Sequence, residues 1–202
     1  MHISFYYVRH GETRFNVLDR VQGVCDSPLT ERGISQAQAT AERLRDVPLT
    51  RAFSSSSERA SDTAEIILEG RGIGLTRLKG LRELDFGDFE GYRMNAGGSD
   101  DAKLEACWAA RDYSSVGGES REQMVARIRS TYEQIARQCA DGDSVLTVSH
   151  RGYFFYLLEA LFGFTLEEQE ERWEDPMAMV PNASVARFSY DDGAWTLEAL
   201  PS

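Results

Sequence analysis

Apolar residues along this chain follow two rhythms, and the rhythms alternate. From Ile3 to Val8 every residue except Ser4 is β-branched or aromatic, which predicts a buried strand. Thr30 then offers an N-cap. Ile34, Ala37, Ala41 and Leu44 recur at helical spacing and predict a helix over 30–45. A short strand is predicted over 49–53. The serines Ser54 to Ser57 read as a capping run for a helix over 58–69, which Gly70, Gly72 and Gly74 bring to an end. The stretch 81–92 has no clear period and reads as a charged loop. Segment 93–118 is polar, glycine-rich at both ends and weakly helical around 103–111, which predicts a small lid-like insertion.

The second half resumes the alternation. Gly118-Glu119-Ser120 opens a predicted helix to about residue 140, with Met124, Ile128, Ile135 and Cys139 on one face. A buried strand is predicted over 144–149. It runs into His150-Arg151-Gly152 and a helix over 153–162. Two last strands, 184–189 and 195–200, flank Asp191-Asp192-Gly193 and predict a hairpin. This order predicts an α/β fold: a three-layer sandwich with a mostly parallel central sheet flanked by helices, plus the lid, in a single domain over 1–202. No internal repeat is visible.

Composition narrows the function. The chain has 202 residues, 42% hydrophobic and 27% charged, which excludes a disordered or collagen-like chain. Its formal net charge is -11, which disfavours nucleic acid as a partner. Only Lys79 and Lys103 are lysines; every other basic residue is arginine, the better residue for forked contacts to phosphate. Codon bias is the competing explanation. No apolar run approaches the roughly 18 residues that span a bilayer, so no membrane association is expected. Residues 1–8 carry no basic region, so no signal peptide and a cytoplasmic location are expected. Cys25, Cys107 and Cys139 are odd in number and widely spaced, and predict neither a disulfide framework nor a zinc site.

The candidate chemistry sits at strand ends. His10 follows the strand ending Tyr7-Val8, and His150 follows the one ending Thr147-Val148. The carboxyl ends of parallel strands form the ligand edge of an open α/β sheet. Each histidine is followed within two residues by glycine and then by helix, which offers backbone N–H groups to an anion. Arg9 stands beside one and Arg151 beside the other.

The motifs, in order, are Arg9-His10-Gly11-Glu12-Thr13, Asn16, Gln22-Gly23, Asp26-Ser27-Pro28-Leu29-Thr30, Ser54-Ser55 with Arg59 and Thr63, Leu81-Arg82-Glu83, Gly118-Glu119-Ser120, Val148-Ser149-His150, and Asn182-Ala183-Ser184. Together they resemble the histidine phosphatase superfamily, also called the phosphoglycerate mutase-like family, over nearly the whole chain. The resemblance implies that His10 attacks phosphorus and becomes phosphohistidine. Arg9, Arg59 and His150 would hold the phosphoryl oxygens, and Glu83 would be general acid and then base. It places Asn16, Gln22 and Gly23 near the substrate, although ordinary loop roles fit them equally. Arg151 departs from the common glycine, and its side chain either reaches a substrate anion or points away. Asp85 and Glu90 do not match the acid position and are expected to be structural. Glu12 is expected in a first helical turn.

Cofactor-dependent mutases of this family carry an arginine-rich and His-Tyr-Gly segment after the acid; here that stretch is Leu84-Asp85-Phe86-Gly87-Asp88. The phosphatase branch is therefore expected: a metal-independent phosphatase of small phosphate monoesters, needing no cofactor. Mutase-type phosphoryl transfer and a non-catalytic phospho-ligand binding protein are the alternatives. The expected partner is a small phosphorylated metabolite, and nothing in the sequence fixes an oligomeric state.

Overall fold

A computed structural model describes residues 1–94, 97, 99–172 and 179–202. Six strands form one sheet in the order β3-β2-β4-β1-β5-β6. They are β1 (His2–Arg9), β2 (Arg51–Ser55), β3 (Leu75–Leu78), β4 (Ser144–Ser149), β5 (Val185–Asp191) and β6 (Ala194–Ala199). The pairs β1–β4, β2–β4 and β2–β3 are parallel, whereas β5 and β6 add an antiparallel edge. The expected mostly parallel sheet is present.

The period-2 pattern of β1 explains the layers. Ile3, Phe5 and Tyr7 point to one face and pack with Met124, Ile128, Tyr132 and Ile135 of α5 (Arg121–Ala136) and Phe154 and Leu158 of α6 (Arg151–Phe162). Val8 points to the other face, with Ala60, Ala64 and Ile67 of α3 (Glu58–Leu68) and Leu44, the C-cap of α2 (Glu31–Arg43). The remaining helices are the single turn α1 (Arg14–Val17), α4 (Ser99–Ala110) in the predicted lid segment, and α7 (Leu166–Arg172). Among the described residues, no helix is long and apolar enough to cross a membrane.

Several boundaries differ from the sequence reading. The second strand begins two residues later and takes in Ser54 and Ser55, so these serines are sheet residues rather than caps. Ser57 is the N-cap of α3 but makes no side-chain cap bond. Asp26, distant in sequence, accepts the Glu58 N–H instead at 2.5 Å. The long helix ends at Ala136, which leaves Cys139 beyond it but still packed on the core. The strand β3 was not anticipated. Glu12 precedes the Thr13 N-cap of α1 and lies outside any helix; its carboxylate accepts the Thr30 hydroxyl at 2.8 Å.

Candidate active site

Register brings the two histidines together. Val8 pairs with Val148 and Arg9 with Ser149 on adjacent parallel strands, so His10 and His150 leave the sheet side by side. Their ring centroids are 5.3 Å apart. Both are buried.

His10 is held in one tautomer. Its Nδ1 lies 2.8 Å from the Gly11 carbonyl, which can only accept, so Nδ1 carries the proton and Nε2 keeps its lone pair. Burial, Arg59 and Arg9, in that order, hold its pKa well below the ordinary histidine value, and the ring is neutral. Asn182 Nδ2 donates to the His10 carbonyl at 3.1 Å. The backbone N–H groups after His10 do not form the expected anion cradle. Gly11, Glu12 and Thr13 give theirs to Thr63, Gln36 and Asn16 side chains.

Arg9 and Arg59 both lie close enough to His10 to act on its charge. Arg9 donates through Nη1 to the Val180 carbonyl at 2.7 Å. Burial, with the neighbouring Arg151 cation next, lowers its pKa to about 9, which leaves it charged at neutral pH. Arg59 is fully buried. Its Nη1 donates to Cys25 O and Asp26 Oδ1, and its Nη2 to Gly23 O at 2.9 Å, so it also ties down the 22–26 loop. Among the described residues, the Nε donors of Arg9 and Arg59 and the Nδ1 of His150 are buried and have no hydrogen-bond partner.

His150 is fixed by two residues that the sequence reading gave no role. Ser55 Oγ stands 2.8 Å from its Nε2. Ser55 Oγ also accepts the Ser57 N–H and donates to Ser57 Oγ, both at 3.2 Å. The Tyr7 hydroxyl accepts the His150 N–H at 3.1 Å and donates to the His150 carbonyl. Burial and then Arg59 push this histidine well below its ordinary pKa too.

Glu83 occupies the helix end predicted to hold phosphate. The N-terminus of α6 gives the Gly152 N–H to Oε2 at 2.8 Å and the Tyr153 N–H to Oε1 at 2.7 Å; Leu84 N–H adds a third bond at 3.0 Å. These bonds and Arg59 favour the carboxylate, but burial outweighs them and raises the pKa. Gly152 permits the approach: a Cβ there would lie 2.8 Å from Glu83 Oε1. The loop carrying the acid is clamped from outside. Arg127 forms two bonds to the Glu119 carboxylate, at 2.8 and 2.7 Å, and donates to the carbonyls of Gly80 and Arg82. Glu90 is structural, as expected: it accepts backbone N–H groups from Gly23, Val24, Cys25 and Phe86.

Arg9, His10, Glu83 and Arg151 share the lining of a cavity of about 170 Å³. Asn16 and Gln22 reach it as well. Gln22 Oε1 accepts the Thr13 hydroxyl at 2.8 Å, and its Nε2 is a buried donor without a partner among the described residues. Gly23 does not line the cavity. It packs under the acid loop, where a Cβ would lie 2.1 Å from Leu84 O. The lid segment contributes Trp108 and Arg111 to the cavity, and Tyr113 both lines it and packs edge-on against Phe86.

Residues 5–201 match the profile of the histidine phosphatase superfamily, branch 1. The chain belongs to this family. The probable phosphoglycerate mutase GpmB of Salmonella paratyphi A is 30% identical over 195 residues, 96% of this chain and 87% of that protein. Among solved structures, this histidine phosphatase is similar to Bacillus stearothermophilus YhfR, with 31% identity, a TM-score of 0.82 and coverage of 98% and 96% of the two chains. It is also similar to a mycobacterial glucosyl-3-phosphoglycerate phosphatase, with 30% identity, a TM-score of 0.80 and 97% coverage of each chain.

Proposed function

We propose that this histidine phosphatase hydrolyses small phosphate monoesters through a phosphohistidine on His10. The observation that carries the reading is the pairing across one cavity of a neutral imidazole with a free Nε2 and a carboxyl with a raised pKa. In the first half the Nε2 lone pair bonds to phosphorus, the ester P–O bond breaks, and Glu83 gives its proton to the leaving alkoxide. In the second half Glu83 takes a proton from water, whose oxygen bonds to phosphorus as the P–N bond breaks. The buried unpartnered Nε donors of Arg9 and Arg59, with His150 beside them, suit the charge on the phosphoryl oxygens, which is where phosphoryl transfer most needs help. The two guanidinium groups supply the positive field, and the scheme calls on no metal.

The names of the curated relatives favour a second reading, mutase-type transfer of the phosphoryl group to another hydroxyl. One experiment separates the two. Release of inorganic phosphate from an aryl phosphate and from 3-phosphoglycerate is measured with a chelator present, alongside isomerisation of the latter. Acid-labile phosphoenzyme is trapped in parallel. Phosphate release with no isomerisation, and loss of both turnover and phosphoenzyme in His10→Ala, is the expected result. Isomerisation outpacing release refutes the phosphatase reading. A His10→Ala protein that keeps most of its activity refutes the nucleophile.

A further inference from the structure

The cavity is chemically divided. One part of its lining is polar, with Arg9, His10, Asn16, Arg20, Gln22, Glu83 and Arg151. Another part is a wall of the rings of Phe86, Trp108, Tyr113, Phe155 and Tyr156, drawn from the acid loop, the lid segment and α6. Four of these rings are buried and fixed, and only Trp108 is exposed, at 38%. Two polar groups beside the wall are turned to structural work. The Tyr156 hydroxyl donates to the Arg111 carbonyl at 2.8 Å. The Arg111 guanidinium lies 5.3 Å over the Phe155 ring and donates to Gln169 Oε1 at 2.7 Å. Gln169 is itself fully buried and anchored on the Phe155 and Phe164 carbonyls.

A polyhydroxylated leaving group entering this space would exchange water for ring faces, leaving hydroxyls without partners. A flat apolar group would instead bury its faces against preformed aromatic edges and planes. Building on the phosphatase reading, we propose that this site is selective for monoesters whose alcohol carries an aromatic or comparably broad hydrocarbon group, and discriminates against sugar- and glycerate-type phosphates. The division of labour is physical: the polar residues handle any phosphoryl group, and the aromatic wall decides which alcohol is held.

The test compares kcat/KM for 2-phenylethyl phosphate and glycerol 3-phosphate, with 4-nitrophenyl phosphate as the activity control. Both test esters leave as primary alkoxides, so intrinsic reactivity does not produce a preference. The phenylethyl ester is expected to be favoured by at least about tenfold, chiefly through KM. Trp108→Ala, at the exposed edge of the wall, is expected to reduce that ratio without unfolding the protein, and Phe155→Ala to reduce it further. Equal or better use of the glycerol ester overturns this inference while leaving the phosphatase reading intact. Failure to hydrolyse all three esters overturns the phosphatase reading and this inference with it.

Discussion

Gly152→Ala isolates the placement of the acid from its chemistry. The added methyl carbon would lie 2.8 Å from Glu83 Oε1 and 3.1 Å from its Cδ and Oε2, where ordinary contact begins at 3.4 Å. The carboxyl must therefore retreat by about 0.6 Å, against a loop already clamped by Arg127. A displacement of about 1 Å in a catalytic group costs on the order of 100-fold, so a loss of roughly 10- to 100-fold in kcat is expected. The backbone should not object. Gly152 lies in the first turn of α6 and has no left-handed dihedral, and alanine there gains up to about 1 kcal/mol of helix propensity. Urea unfolding should thus show a stable protein whose turnover has collapsed. Alkyl esters, which need a proton on the leaving oxygen, should lose more than 4-nitrophenyl phosphate, which hardly does. A variant with wild-type kcat on alkyl esters would show that Glu83 is not the acid, or that its position is immaterial.

The remaining expectations concern charge and support. Burial lowers the pKa of His10 and raises that of Glu83, so the reactive pair of forms, neutral imidazole and protonated carboxyl, is favoured between the lowered histidine pKa and the raised carboxyl pKa. kcat should hold as pH falls through the ordinary histidine range and decline as it rises through the Glu83 pKa; Glu83→Gln should lower the plateau and abolish that alkaline decline, and an unchanged decline would reassign it. Asp26→Ala removes both the partner of the fully buried Arg59 and the acceptor of the Glu58 N–H. Because Asp26 is 28% exposed, the loss should be about 2 kcal/mol in urea unfolding, with reduced kcat, and Asp26→Asn should recover part of it. Arg127→Met should cost about tenfold in kcat with little change in KM and a displaced alkaline limb, because it acts on the acid through its loop; an unaltered pH profile would make Arg127 merely structural.

The strand-end histidines were legible because they follow buried strands whose apolar runs are unambiguous. Their spacing in space was legible once the sheet was read as parallel. What escaped was whatever depends on partners distant in sequence. The serine run looked like a cap because serine favours that position, yet Ser57, the N-cap residue, makes no side-chain cap bond and the Glu58 N–H goes to Asp26 instead. β3 was missed because Leu75–Leu78 is short and its two middle residues are polar and exposed. The N-terminus of α6 reads as a cradle for an external anion, but its Gly152 and Tyr153 N–H groups go to the carboxyl of the protein's own Glu83. Ser55 and Tyr7 carry no local sign of their work, since a buried serine and a strand tyrosine are ordinary; only the register of β1, β2 and β4 turns them toward His150.

The position of β1 between β4 and β5 also sets the order in which this molecule can assemble. Tyr7 and His150 are 143 residues apart in the chain, and β5 lies further on still. During synthesis β1 emerges long before either neighbour exists. Its aromatic residues Phe5, Tyr6 and Tyr7 must wait without a sheet to join. Such long-range pairing slows folding and leaves a sticky strand exposed to other nascent chains. Since β1 and β4 each deliver one histidine, no species that lacks the β1–β4 pairing can possess the site. Recovery of activity during refolding is therefore a clock for the closing of the sheet's centre.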